Sequence, residues 1–356
     1  MRNHLPIKYL GEPMNKKIFN LLLITCFALL STGCHKEDLN DTELESPYRL
    51  NVNFEYLQEW EFNSEYNWNE NWQEVDIQNS YDSYRPNKPE GIAVILFNEH
   101  NGNYTFAREL HISANGGDFS VDASTRAILF MNDDSDYIII NNLGTPQTTI
   151  ASTGNHMNTT FNDFHRGERS VKQPDFFYSA FVEITEDQIK QGNVQNNIVL
   201  SPQVYSYIIK YPILKNCEYV VSVSGAFAGM ASNVNVKDGS TTTETKARYI
   251  FDSELTNYGV IAKVNTFGVP ALEGNINSKA SSEYKGQYDI RMELKLSNGK
   301  KVTFDYDVTE QVSQQPRGGV IIIPGVEISD DLVKDGSGFQ PDIDDWGDNT
   351  DIPLPL

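Results

Sequence analysis

From Tyr288 to Val308 apolar and polar residues change places at almost every step. Tyr288, Ile290, Met292, Leu294 and Leu296 alternate with Asp289, Arg291, Glu293 and Lys295; beyond Asn298-Gly299, Val302, Phe304, Tyr306 and Val308 keep the same rhythm. Successive side chains of an extended strand point to opposite faces, so a period of two gives each arm one wet and one buried face. Asn-Gly tolerates the positive φ of a tight reversal, and it joins the arms as a β-hairpin. A helix repeats its apolar face every three to four residues and cannot use this pattern.

The same signal fills the rest of the chain. Leu50, Val52, Phe54 and Tyr56 alternate with Asn51, Asn53 and Glu55, which predicts a first strand with one wet face. The apolar run 92–97 predicts a strand buried on both faces, and Asn101-Gly102 turns it back into 104–112. Short strands follow at 127–131, 137–140 and 177–184. Thr185 with Gln188 forms a capping box for one helical turn ending at Gly192. After the Asn-rich stretch 193–197 come strands at 204–211, 219–227, 248–251 and 258–264, then the hairpin, then a buried strand at 320–323. No helix longer than about two turns is expected, and strands at this spacing indicate β-sandwiches. The expected fold is all-β, with two tandem β-sandwich domains at 48–197 and 198–328 and an acidic, extended tail at 329–356 that contains three prolines. At roughly 150 residues per domain the length agrees with two.

The beginning of the chain reads differently. Lys16 and Lys17 form a basic region, the thirteen residues 18–30 an apolar one, and Ser31-Thr32-Gly33-Cys34 a small-residue site ending in cysteine. Thirteen apolar positions are too few to span a bilayer. Residues 1–33 therefore read as a signal peptide, with translation starting at Met14, because 1–13 adds nothing a signal needs. Leu30-Ser31-Thr32-Gly33-Cys34 resembles a lipobox with its leucine one place upstream of the usual position. That resemblance implies that Cys34 takes a diacylglycerol and becomes the mature terminus. Lys36-Glu37-Asp38 resembles the export signal that sends Bacteroidetes lipoproteins to the outer face of the outer membrane. The polar stretch 34–47 is a flexible linker between lipid and fold.

Removing the signal leaves 323 residues with a net charge of -24. Such a surface repels polyphosphate, which excludes nucleic acid as a partner. Of three cysteines, Cys26 leaves with the signal, Cys34 is lipidated and Cys217 remains, so no intramolecular disulfide can form. No histidine follows His165 to partner a catalytic thiol, and Cys217 reads as a small core residue.

Four clusters invite a functional reading. Between residues 60 and 84 three of the four tryptophans, Trp60, Trp68 and Trp72, lie within thirteen residues. They fit either a platform on which sugar rings or a protein partner stack, or a long connection pinned down by its own rings. Asn132-Asp133-Asp134-Ser135-Asp136 has the oxygens of a Ca²⁺ loop but lacks the glycine and terminal glutamate of one, and it reads as turn chemistry. The tail stretch Asp342-Ile343-Asp344-Asp345-Trp346-Gly347 fails the same test, with Trp346 at a ligand position. His100, His111, His156 and His165 are scattered without metal-binding spacing, and no metal or cofactor is expected. Arg317-Gly318-Gly319 is a turn feeding a strand rather than a protease-sensitive site. No nucleophile elbow, Walker loop or dinucleotide fingerprint occurs, and carboxylates are too abundant for any pair to stand out as catalysts.

Several segments together resemble a family of Bacteroidetes lipoproteins known as domain of unknown function 5119. They are Glu59-Trp60-Glu61 through Trp72, Arg85-Pro86-Asn87-Lys88-Pro89-Glu90-Gly91-Ile92, Gly225-Ala226-Phe227-Ala228-Gly229-Met230-Ala231, Phe267-Gly268-Val269-Pro270, Asp307-Val308-Thr309-Glu310-Gln311-Val312, Gln315-Pro316-Arg317-Gly318-Gly319-Val320-Ile321 and the closing Gly338-Phe339 to Leu356. The layout is similar to that of fimbrillin-like lipoproteins, including pilus anchor and accessory subunits, which pair two transthyretin-like sandwiches. The resemblance implies a non-enzymatic, surface-exposed outer-membrane lipoprotein with an adhesive or pilus-associated structural role. Fimbrial subunits would then be partners by strand addition, at the edge near 50–56 or near 320–323. The alternative is a glycan-binding lipoprotein of a polysaccharide-uptake system that uses Trp60, Trp68 and Trp72.

Overall fold

The computed structural model describes residues 48–57, 84, 86–157, 160–192, 197–257, 259–272 and 286–334. In chain order the first strands are β1 (Tyr48–Tyr56), β2 (Gly91–His100), β3 (Asn103–Ser113), β4 (Gly117–Val121), β5 (Thr125–Asn132), β6 (Ile138–Asn141), β7 (Ile150–Thr153), β8 (Arg169–Val171) and β9 (Tyr178–Glu183). A short helix, α1 (Glu186–Lys190), leads into β10 (Asn197–Pro202). The remaining elements are β11 (Tyr205–Lys215), β12 (Val220–Ala231), β13 (Asn233–Asn235), β14 (Lys246–Asp252), β15 (Glu254–Thr256), β16 (Gly259–Thr266), β17 (Asp289–Leu296), β18 (Lys301–Asp307), α2 (Thr309–Gln314), β19 (Gly319–Ile322), β20 (Val326–Glu327) and α3 (Asp330–Lys334).

Sequence periodicity becomes local structure directly. β1 buries Leu50 and Val52 and exposes Arg49, Asn51 and Asn53, and six consecutive residues of β2 are buried. At Asn101-Gly102 both residues adopt positive φ, 51° and 78°, between the paired His100 and Asn103. The Asn298-Gly299 hairpin closes differently. Only Gly299 is left-handed, at φ 83°, and its N–H donates to the carbonyl of Leu296, whose own N–H donates to Lys300. Asn298 instead accepts from the Lys300 N–H and donates to the carbonyl of Leu332. The capping box on α1 is formed in both directions between Thr185 and Gln188.

Seven strands in the order β3-β2-β5-β9-β10-β1-β4 make the amino-terminal sheet. The sheet folds over itself: Phe54 on β1 meets Phe130 on β5 edge to face at 5.5 Å, and Tyr56 meets Tyr178 at 5.6 Å. Its enclosed face holds Leu50, Val52, Ile92, Val94, Leu96, Ile128 and Leu200. The guanidinium of Arg108 on β3 donates to the carbonyl of Ser120 on β4, which links the two ends of the strand order. The other face of β2 and β5 packs with Ala151 and Val234, from the small sheet β13-β7-β6.

The carboxy-terminal sandwich sets β15-β16-β11-β19, with β20 also on β11, against β18-β17-β12-β14-β8. Tyr207, Ile209, Tyr211, Phe227, Tyr249, Met292 and Leu294 fill the space between. A buried hydroxyl costs free energy unless bonded, and these tyrosines comply. Tyr207 donates to the carbonyl of Gln315, Tyr249 to that of Ala231, and Tyr211 meets the Tyr306 hydroxyl at 3.2 Å.

Strands cross between the halves. The division expected at 197/198 falls at the first residues of β10, which pairs with β1 and β9 in the amino-terminal sheet. In the other direction β8 joins the carboxy-terminal sheet beside β14, and β7 pairs with β13. The tail expected to be extended from 329 begins with the helix α3.

Candidate functional site

Cys34, Lys36, Glu37 and Asp38 lie outside the described residues, as do Trp60, Trp68 and Trp72 and the tail stretch 342–347. The remaining sequence candidates can be placed.

The acidic loop after β5 is held by its own oxygens. Asn132 donates to the Asp134 carboxylate and to the carbonyl of Phe176, and accepts from the N–H of Tyr178. Asp134 accepts the N–H of Glu90, Asp175 accepts the N–H groups of Asp136 and Tyr137, and His111 meets Asp133 at 2.6 Å. These carboxylates hold backbone donors, as turn chemistry requires. Asn132, Asp134, Asp136 and Asp175 line a cleft of about 270 Å³ with Phe176 and with Asn265 of β16. Nearby, Lys263 lies over the Phe176 ring at 4.4 Å and donates to the carbonyl of Tyr84; burial pulls its pKa down to about 8. Among the described residues no group of three or more His, Cys, Asp or Glu is placed to hold a metal.

The segment 160–168 forms a clasp on the outer face of the carboxy-terminal sheet. Phe161 and Phe164 are buried against Ala226, Ala228 and Ile250. The Gly-Ala-Phe-Ala-Gly stretch of β12 explains the fit: Phe227 faces the sandwich core, and the flanking alanines leave a shallow bed for the two rings. Gly225 lies against the Phe251 ring with no room for a side chain, and Gly229, at φ 87°, occupies the bulge where β12 shifts register on β14.

Polar groups lock the clasp. His165, at φ 49°, places Nδ1 3.0 Å from Glu168 and Nε2 2.5 Å from Asp289. A carboxylate only accepts, so both ring nitrogens donate and the ring is the imidazolium. The hydrogen bond to Glu168 raises the His165 pKa against the opposing effect of burial, with Asp289 adding to the rise. Glu168 also accepts the N–H of Gly229, and the Arg248 guanidinium donates to the carbonyls of Phe164 and His165. Arg291 bonds Asp163 and Asp305 and stacks on Phe164 at 4.6 Å. These groups face one another and secure a loop; they present no free nucleophile beside a base.

Cys217 is partly buried, its Sγ donates to the carbonyl of Thr256 at 3.7 Å, and burial pushes its pKa up. A raised pKa keeps the thiol protonated and unreactive. Arg317 is 7% exposed and Gly318 turns at φ 94° into β19, as expected of a turn feeding a strand.

Both expected docking edges need correction. β1 lies inside its sheet, with β4 along residues 48–52 and β10 along 53–56. β19 ends its sheet, but side chains cover its outer side. Gln311 of α2 donates to the carbonyl of Ile322 at 3.0 Å and accepts its N–H at 2.8 Å. Gln315 donates to the carbonyl of Val320. A side-chain amide has the donor and acceptor of a peptide unit, so Gln311 occupies the place a neighbouring strand would take. Two glutamines four residues apart just before β19 were the sequence signal for this cover.

The geometry defines an all-β protein of two β-sandwiches whose polar clusters serve loops and edges. Its fold is similar to that of a Bacteroides ovatus protein named a "putative adhesin", with TM-score 0.52 and 19% identity over 83% of this chain and 97% of that one. The fimbrial anchor protein Mfa2 of Porphyromonas gingivalis aligns with TM-score 0.40 and 12% identity, over 77% of this chain and 89% of its own. No curated protein matches the chain. Residues 68–252 match the model of the family described as Domain of unknown function (DUF5119), and the chain belongs to that family.

Proposed function

We propose that the protein is a non-enzymatic, surface-exposed outer-membrane lipoprotein that acts in adhesion as a structural or pilus-associated component. The observation that carries this reading is the fold, shared over nearly the whole length of the Bacteroides ovatus protein named as an adhesin. The inward use of the polar clusters supports it, since Asp134, Asp175, His165 and Glu168 all hold the chain itself. Lipid on Cys34 supplies the attachment, through the export signal Lys36-Glu37-Asp38. No helix among the described residues is long and apolar enough to cross a membrane.

Partners dock by strand addition. With β1 interior and β19 covered, β18 is the better edge. It ends its sheet, and no strand pairs with its outer side among the described residues. Its exposed side carries Lys301, bonded to Glu293, and Asp305, bonded to Arg291, charges that discourage indiscriminate pairing and leave a selective partner room.

Two measurements test the reading. Cys34→Ala should move the protein out of the outer-membrane fraction, and retention there would sink the lipid attachment. Cells lacking the protein should attach less well to surfaces or to partner cells; unchanged attachment with unchanged piliation would sink the adhesive role.

A further inference from the structure

The hydrogen bonds at the two ends of the β17-β18 hairpin fix which backbone groups β18 leaves open. The N–H of Val308 donates to the carbonyl of Tyr288, and the N–H of Leu296 to the carbonyl of Lys300, so the even-numbered residues form the bonded pairs. Bonded and non-bonded pairs alternate along an antiparallel ladder. Lys301, Thr303 and Asp305 therefore turn their N–H and C=O groups away from β17, to the side where no strand pairs among the described residues.

Side chains follow the same alternation. Val302, Phe304 and Tyr306 point to the core side, where the rings of Phe304 and Tyr306 lie 6.5 and 5.5 Å from that of Tyr211, yet all three stay half-buried. Lys301, Thr303, Asp305 and Asp307 point to the wet face. There Asp305 and Asp163, 52% and 60% exposed, border a groove of about 420 Å³ lined also by Phe161, Arg291, Glu293 and Thr303. One guanidinium, that of Arg291, is shared by the two aspartates, which leaves this end of β18 negative, and Asp307 adds a further exposed carboxylate. At the other end Lys301 is 55% exposed. The accessible charge thus runs from positive at Lys301, through neutral Thr303, to negative at Asp305 and Asp307.

Resting on the docking of partners at this edge, we propose that β18 takes an antiparallel partner strand of matching polarity: a basic residue opposite Asp305, a neutral polar one opposite Thr303 and a carboxylate opposite Lys301, with apolar residues between. Directly opposed residues of an antiparallel pair have Cβ atoms about 4.5–5.5 Å apart, so a long basic side chain there reaches the groove beside Asp163. The apolar residues cover Val302 and Phe304. Read from its amino end, such a strand is Arg-Val-Thr-Val-Glu. Fluorescence anisotropy on the mature chain tests this with two labelled peptides, one carrying that sequence and the other Glu-Val-Thr-Val-Arg between the same flanks. The first should bind roughly tenfold or more tightly, since opposed unlike charges stabilise a strand pair and like charges destabilise it. Thr303→Pro removes an N–H from the open side and none from the ladder with β17, so it should abolish binding with circular dichroism unchanged. Equal binding of both peptides, lost in Thr303→Pro, would overturn the polarity while leaving strand addition at β18 standing. Binding of neither peptide, or binding of the first that survives Thr303→Pro, would overturn the polarity and the docking edge together. Self-association of the unaltered chain that Thr303→Pro removes would also overturn it, by assigning the edge to a second copy.

Discussion

His165 combines three features that rarely coincide: a left-handed backbone, a carboxylate on each ring nitrogen, and an arginine on its own carbonyl. Because its folded pKa is raised, the stabilisation it provides is whole below about pH 6.5, the ordinary histidine value, and is lost as pH climbs through the folded value. Charge-assisted bonds contribute on the order of 1.5–3 kcal/mol each. His165→Gln should lower stability by about that amount at pH 5.5 and by less at pH 9. Urea denaturation of both proteins at the two pH values measures it, and parallel profiles would contradict the doubly bonded imidazolium. The position was visible in the sequence only as a scattered histidine, because Asp289 lies 124 residues away and Arg248 approaches from a different strand.

At the scale of elements, β19 and its glutamines make the sharpest case. Gln311→Leu removes both bonds to Ile322 and leaves its half-buried N–H and carbonyl without that partner, at a cost of about 0.5–1.5 kcal/mol per bond. It also uncovers an edge, so sedimentation should show association that the unaltered protein lacks; a monomer of unchanged stability would refute the covering role. On β12, Ala228→Leu places a branched side chain in the bed of Phe161 and Phe164 and should destabilise by about 1–3 kcal/mol through overpacking. Thermal denaturation reads this, and an unaltered melting temperature would show that the clasp does not depend on the bed.

These elements also show what a sequence reveals. β1, β2, β17, β18 and the Thr185 capping box were legible because each is specified by neighbours a few residues apart. The three-residue strands β8, β13 and β15 were not, since so short a run has no measurable period and exists only through a distant partner. The Asn298-Gly299 loop was located correctly but closes with a single left-handed residue, because the Asn298 side chain is engaged by Lys300 and Leu332. The edges were misjudged for a related reason: being first along the chain does not place β1 at the border of its sheet, and β19, which does lie at a border, is covered by glutamine side chains. The expected lipid, export and tryptophan residues lie outside the described structure.

For the whole molecule, the exchange of β8 and β7 one way and β10 the other joins the two sandwiches into one folding unit. Calorimetry should therefore show one transition whose calorimetric and van't Hoff enthalpies agree. Two resolved transitions would mean that the sandwiches fold independently despite the shared strands. Acidity acts at this scale too. With a net charge of -24 after removal of the signal, self-repulsion weakens the fold at low ionic strength, and added salt should raise the melting temperature.

The interior position of β1 bears on how the molecule carries force. Under the proposed attachment at Cys34, any pull between cell and partner enters the fold at Tyr48, the first residue of a strand that runs antiparallel to β4 and then parallel to β10. A load along that strand stretches both ladders in shear, where many hydrogen bonds must break together rather than unzip one at a time. The first strand is thus a mechanical handle set one strand in from the border of the sheet, clamped between β4 and β10.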